Sequence, residues 1–169
     1  GRSGTARRRG RGAGLPSLMA MRGSWFFFYG TLAHDHDNTL TRIVMPLLEG
    51  GYRGHVRGRL RTVRTASGWY PALCAGRGRV AGRLYRAGPG FGARHLRLLD
   101  AYEDFDPHRP ARSEYVRRIV CVTGAGRGAV IAQAYRYNRP VHPGLRITPG
   151  GDFAAYAART GLHVFGAAD

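Results

Sequence analysis

Trp25-Phe26-Phe27-Phe28-Tyr29-Gly30-Thr31-Leu32 is the stretch from which the rest of the chain can be read. Five consecutive aromatic residues are far short of the roughly 20 apolar residues a membrane-spanning helix needs. The run stops at a glycine, and a buried strand feeding a turn fits it best. A strand that ends at Gly30 can turn sharply and bring backbone N–H groups against a ligand with no Cβ in the way. Successive N–H groups of this kind form a concave anion site suited to a carboxylate. An ordinary strand-to-loop turn capped by Thr31 accounts for the same residues equally well.

Working outward, Asn38 to Leu48 places Leu40, Ile43, Val44, Leu47 and Leu48 at helical spacing, with Asp37 or Asn38 as N-cap and Pro46 bending its end. Short glycine-rich β segments follow over Tyr52–Val63, Tyr70–Cys74 and Arg79–Arg86. Glycine this dense in strands suits bulges and tight curvature. Ala93–Tyr102 reads as a helix with Leu96, Leu99 and Tyr102 on one face. A Pro/Asp loop from Asp104 to Arg112 leads to two β-branched strands, Glu114–Val122 and Ala129–Tyr137, around a glycine-rich turn. Asp152 caps a last helix, Phe153–Arg159. The element order predicts an α+β domain around a small curved, mostly antiparallel β-barrel flanked by a few helices.

Composition sets the outer limits. The 169 residues carry a net charge of +17, with 27 basic residues that are all arginine and 10 acids. Arginine without any lysine, beside abundant Gly and Ala, is also what GC-rich coding produces. The aromatics lie in core-like runs rather than between arginines, so no specific nucleic-acid partner is expected. Any such binding should be electrostatic and indifferent to sequence. No membrane partner is expected, and the oligomeric state is left open. Residues 1–22 are Arg/Gly/Ser-rich without periodicity and read as a disordered basic tail or a remnant, with the folded domain over residues 23–169. Neither a convincing signal sequence nor a cysteine framework is visible, so a cytoplasmic location is expected. Cys74 and Cys121 both read as small buried hydrophobes.

Three strings recur in order along the chain: Phe28-Tyr29-Gly30-Thr31-Leu32, then Val80-Ala81-Gly82-Arg83-Leu84-Tyr85, then Leu99-Asp100-Ala101-Tyr102-Glu103, with Tyr115 and Arg117-Arg118 on the next strand. Together they resemble the γ-glutamyl cyclotransferase family, which includes the avirulence-induced-gene-like proteins and the γ-glutamylamine cyclotransferases. The resemblance spans about residues 24–160. It implies a small β-barrel with helices in which Tyr29, Gly30, Thr31 and Leu32 form a substrate loop and Glu103 is the catalytic acid/base. The implied reaction cyclises a γ-glutamyl amide to 5-oxoproline and releases an amine, with no cofactor and no metal. A non-catalytic small-metabolite-binding domain on the same fold is the alternative.

The residues suit these roles. Glu103 is one of three glutamates, with Glu49 and Glu114. A single carboxyl can take a proton from the attacking amine and return one to the leaving nitrogen. The substrate supplies its own nucleophile, and well-oriented ring closure reaches effective molarities on the order of 10⁵–10⁸ M. Tyr115 and Tyr137 either line the cavity or are core aromatics with polar tips. His34-Asp35-His36-Asp37 looks metal-like, yet its two histidines would point to opposite sides of a strand. Deleting residues 1–22 should leave the melting temperature nearly unchanged; a large fall would move the domain boundary into that segment.

Overall fold

The structure is a computed structural model describing residues 23–30 and 39–164. The basic tail, Thr31, Leu32, the His34–Asp37 segment and the N-cap candidates Asp37 and Asn38 lie outside the described residues. Among the described residues six strands and three α-helices follow one another: β1 (Trp25–Phe28), α1 (Thr39–Val44), β2 (Leu48–Thr65), β3 (Gly68–Ala87), α2 (Ala93–Tyr102), β4 (Tyr115–Thr123), β5 (Val130–Tyr137), β6 (Arg146–Ile147) and α3 (Phe153–Thr160). The sheet order is β3-β1-β5-β4-β2-β6, and β3 also pairs with β2. That second pairing closes five strands into a small barrel and leaves β6 beside the far half of β2. Among the named strands only β1 and β5 run parallel, meeting at Phe26 and Gln133, and Val164 adds an isolated parallel bridge to Trp69.

The aromatic run explains itself in this setting. Phe26 and Phe28 face the layer that holds α1 and α2, where Phe91, Leu96, Leu99, Val44 and Tyr135 pack with them. Phe27 and Tyr29 face the opposite cluster inside the curled sheet, with Leu60, Leu73, Val80, Leu84 and Phe153. Because β1 is covered on both sides, it shows no polar alternation, as expected of a central strand.

The middle of the chain is more continuous than its sequence suggests. The segments expected over Tyr70–Cys74 and Arg79–Arg86 are one strand, β3, paired antiparallel with β2 from end to end. What reads as an interruption is a bulge: between the pairs Arg57↔Arg79 and Arg59↔Cys74, Gly58 alone on β2 faces Ala75–Gly78 on β3. A second irregularity falls between Gly50 and Tyr52. Such extra residues bend the strand and sharpen its twist, which lets two long strands curl into a barrel wall. The first helix is shorter than its periodicity implies. It ends at Val44 and tightens into a 3-10 turn over Met45–Leu47, with Pro46 at the start of that turn. Proline cannot donate the backbone hydrogen bond that would carry an α-helix onward. The helix at Ala93–Tyr102 has the expected bounds, and Asp152 caps α3 by accepting the Ala155 N–H at 3.0 Å. Cys121, expected inside, is exposed on β4, while Cys74 is buried; both are free thiols.

The first two sequence strings are neighbours in space: Phe27 pairs with Leu84 and Phe28 with Arg83. A Cβ on Gly82 would lie 2.4 Å from the Phe28 carbonyl oxygen and 2.6 Å from the Phe27 ring. The glycine is therefore required by the close approach of β1. Gly82→Ala should destabilise the fold by about 1–3 kcal/mol through forced displacement of β1. Urea unfolding measures this, and an unchanged midpoint would show that the strand yields freely.

Candidate active site

At the end of β1 a cavity of about 270 Å³ opens between the barrel and the end of α2. This is near the lower end of the ligand-pocket range of roughly 300–1,000 Å³, a size for a small metabolite. Its floor is the last turn of β1 through Gly30, with Tyr70 and Pro71 from β3. Tyr102, Glu103 and Asp104 come from the end of α2, Glu114 and Tyr115 from the start of β4, and Tyr135 from β5. Glu103 and the described half of the Tyr29–Leu32 loop thus line one cavity.

The helix end holds Glu103 in place through local chemistry. Glu103 is the C-cap residue, and its N–H donates to the Leu99 carbonyl at 3.1 Å. Asp104 follows with φ +49°, the left-handed position that ends many helices and that Asp tolerates better than most residues. Phe105 N–H then donates back to the Asp100 carbonyl at 2.8 Å. One turn before Glu103, the buried Asp100 side chain anchors the helix to the sheet. Arg117 of β4 donates through Nε to Asp100 Oδ1 at 2.9 Å and through Nη2 to Oδ2 at 3.3 Å. The Tyr135 hydroxyl donates to the same Oδ1 at 2.7 Å. Arg117 Nη1 also reaches Gln133 Oε1 at 2.5 Å.

The tyrosines divide by role. The Tyr29 hydroxyl donates to the Tyr135 carbonyl at 2.5 Å and accepts the Leu73 N–H at 3.2 Å, tying β1 to β5 and β3. The Tyr115 hydroxyl donates to the Pro71 carbonyl at 2.7 Å, so its ring walls the cavity while its polar tip joins β4 to β3. Tyr137 packs edge-on against Tyr115 at 5.6 Å, lining a separate open groove on the outer side of the barrel. Gly30 has no room for a side chain, because a Cβ there would lie 2.7 Å from Pro71 Cγ. Tyr70, which sequence reasoning did not single out, donates its hydroxyl to Glu114. Glu114 could have been found by elimination as one of three glutamates. Tyr70 and Asp100 carry no such signal, since only the β2–β3 register and the α2 packing bring them here. No group of three or more metal-ligating side chains occurs among the described residues.

Burial dominates the electrostatics. It pushes the Glu103 carboxyl up from 4.5 to about 8, and the negative charge of Glu114 pushes in the same direction. Glu103 lies at the negative end of α2, whose dipole adds to this. Its carboxylate has no hydrogen-bond or ion-pair partner among the described residues, so nothing offsets the desolvation. Burial likewise holds the Tyr29, Tyr115 and Tyr135 hydroxyls protonated well above the usual phenol range. Between about pH 4.5 and about pH 8 the folded chain keeps a proton on Glu103 that the unfolded chain releases. Stability from this group therefore declines as pH rises through that window, and the penalty is complete above it. Glu103→Gln, uncharged at every pH, escapes it. In urea melts its stability relative to the parent should rise between pH values of about 5 and about 8.5. A gap that does not widen would contradict a buried, proton-holding carboxyl.

Against known proteins, the profile of the family described as gamma-glutamyl cyclotransferase, AIG2-like, matches residues 26–155. No curated protein matches the sequence. Among solved structures, protein ytfP from Escherichia coli is 26% identical with a TM-score of 0.51, covering 76% of this chain and 95% of its own. An AIG2-like protein from Mus musculus is 22% identical with a TM-score of 0.51, covering 76% and 91%. A structure titled gamma-glutamyl cyclotransferase is 14% identical with a TM-score of 0.50, covering 83% and 81%. The latter two likenesses speak to the fold. With a family profile running from β1 into α3 and a barrel shared with these structures, the chain belongs to the γ-glutamyl cyclotransferase, AIG2-like family.

Proposed function

We propose that the protein is a metal-independent cyclotransferase that converts a γ-glutamyl amide to 5-oxoproline and an amine, with Glu103 as its proton shuttle. The observation that carries this reading is a carboxyl held at about 8, without a partner among the described residues, inside a small cavity beside Gly30. A general base works best when its pKa lies near the working pH. In the reaction the Glu103 carboxylate takes a proton from the substrate α-ammonium, and the freed amine attacks the γ-carbonyl carbon. The bond from that carbon to the leaving nitrogen breaks, and protonated Glu103 supplies its proton to the departing amine. Two protons leave the α-nitrogen and two reach the released one, so no water and no net proton is consumed.

The remaining roles follow from what lines the cavity. No arginine lies among its described lining residues. The substrate α-carboxylate is therefore assigned to the Tyr29–Leu32 loop, of which Gly30 lines the cavity. The rings of Tyr115 and Tyr135 exclude water around the reacting carbonyl, which strengthens each polar contact inside. Tyr29 fixes the chain just after β1 through its two backbone hydrogen bonds.

A panel of γ-glutamyl amides, assayed for 5-oxoproline, tests the reading. Glu103→Gln keeps the shape but cannot accept the ammonium proton, and should cost about 10²–10⁴-fold in kcat. For the parent chain kcat/KM should rise as pH passes through about 8, the value at which Glu103 ionises. Full activity of Glu103→Gln, or a rise set by a group ionising near 4.5, the ordinary value for this side chain, would assign the proton transfer elsewhere. Turnover should also survive a strong chelator.

A further inference from the structure

The cavity of Glu103 is lined by acids, and a second recess is lined by arginines. The open groove that Tyr137 lines measures about 640 Å³, within the range of roughly 300–1,000 Å³ for a small-molecule site. Arg118, Arg136 and Arg139 border it, with no acid among the described lining residues. Strand register brings the first two together. Val116 pairs with Arg136, and Arg118 stands two residues beyond Val116, so all three project from one face of the β4–β5 pair. Arg118 and Arg136 have no hydrogen-bond or ion-pair partner among the described residues. Arg139 donates through Nη2 to the Arg112 carbonyl at 2.6 Å, which positions it and leaves most of its five donors unused. Like charges gathered at one recess oppose one another until an anion joins them. Beside them lies apolar surface open to the groove, with Ile119 68% exposed and Val141 54%.

We propose that this groove binds a small organic diphosphate of the nucleoside diphosphate type. Arg118, Arg136 and Arg139 hold its phosphates, and its organic body lies against Tyr137, Ile119 and Val141. Guanidinium groups match phosphate through paired N–H donors, which a point-charge ammonium cannot do. One terminal phosphate carries about −1.5 to −2 at neutral pH, so three guanidinium groups call for more than one phosphate. Inorganic diphosphate would satisfy the charge and leave the apolar wall wet, whereas an organic body covers it. The groove shares no described lining residue with the Glu103 cavity, so the site stands independently of the cyclisation reading.

Calorimetry on the full chain with ADP, pyrophosphate and adenosine, without divalent metal and at about 0.15 M salt, is the test. ADP should bind at one per chain, about tenfold or more tighter than either pyrophosphate or adenosine. Arg118→Gln with Arg139→Gln changes two exposed side chains, so the melting temperature should hold. This pair should weaken ADP by about tenfold or more, the order of lost charge-assisted hydrogen bonds. Arg57→Gln with Arg79→Gln removes the same charge from an exposed cross-strand pair outside the groove. That control should change ADP affinity by about twofold or less, since salt screens distant charges. Equal weakening by both pairs, or affinity that survives the first pair, would assign binding to overall charge and overturn the proposal. Absence of ADP binding, several ADP per chain, or equal binding of the three probes would overturn it too.

Discussion

The Asp100 carboxylate is the joint on which the site depends. Two arms of Arg117 and the Tyr135 hydroxyl converge on it, so one buried side chain of α2 is fastened to both β4 and β5. A buried charge without such partners would be severely destabilising, and removal of Arg117 would leave it so. The position of Glu103 follows, since it stands one helical turn further on and the chain reverses immediately after it. The same bonds fix the cavity wall, because Tyr135 lines the space that Glu103 faces. Fold stability and site geometry are thus carried by one set of contacts.

Under the proposed cyclisation, a division of labour follows between a group that holds and a group that reacts. Asp100 accepts three hydrogen bonds, while the Glu103 carboxylate has none among the described residues. Two acids three residues apart on one helix end therefore serve opposite ends. The satisfied one anchors the helix to the sheet. The starved one keeps its proton past neutrality, and the fold tolerates the cost.

Much of this was legible from residue order. The aromatic run marks β1 because a strand covered on two faces has no polar alternation, and α2 and α3 show plain helical spacing with a capping aspartate. Glu103 could be named because its motif is local to one helix end. The bulge at Ala75–Gly78 could not be distinguished from a break, since glycine and arginine there deny both strand propensity and alternation. Glu114 and Tyr70 meet across 44 residues, and their contact depends on strand register rather than on any local pattern. Cys121 reads as buried from its β-branched neighbours, yet it falls on the outward side of β4 opposite Ile131, itself exposed.

The double hydrogen bond of the Tyr29 hydroxyl bears on how sequence constraint in such chains should be interpreted. Replacement by phenylalanine would strand the Leu73 N–H and the Tyr135 carbonyl inside the barrel, a cost paid whether or not any ligand is present. Selection on that tyrosine therefore registers closure of the barrel. A relative that had lost the acid at the end of α2, and with it the proposed chemistry, would still be held to the same residue. Persistence of the tyrosine tracks ancestry of the scaffold, and only persistence of the glutamate bears on the proposed chemistry.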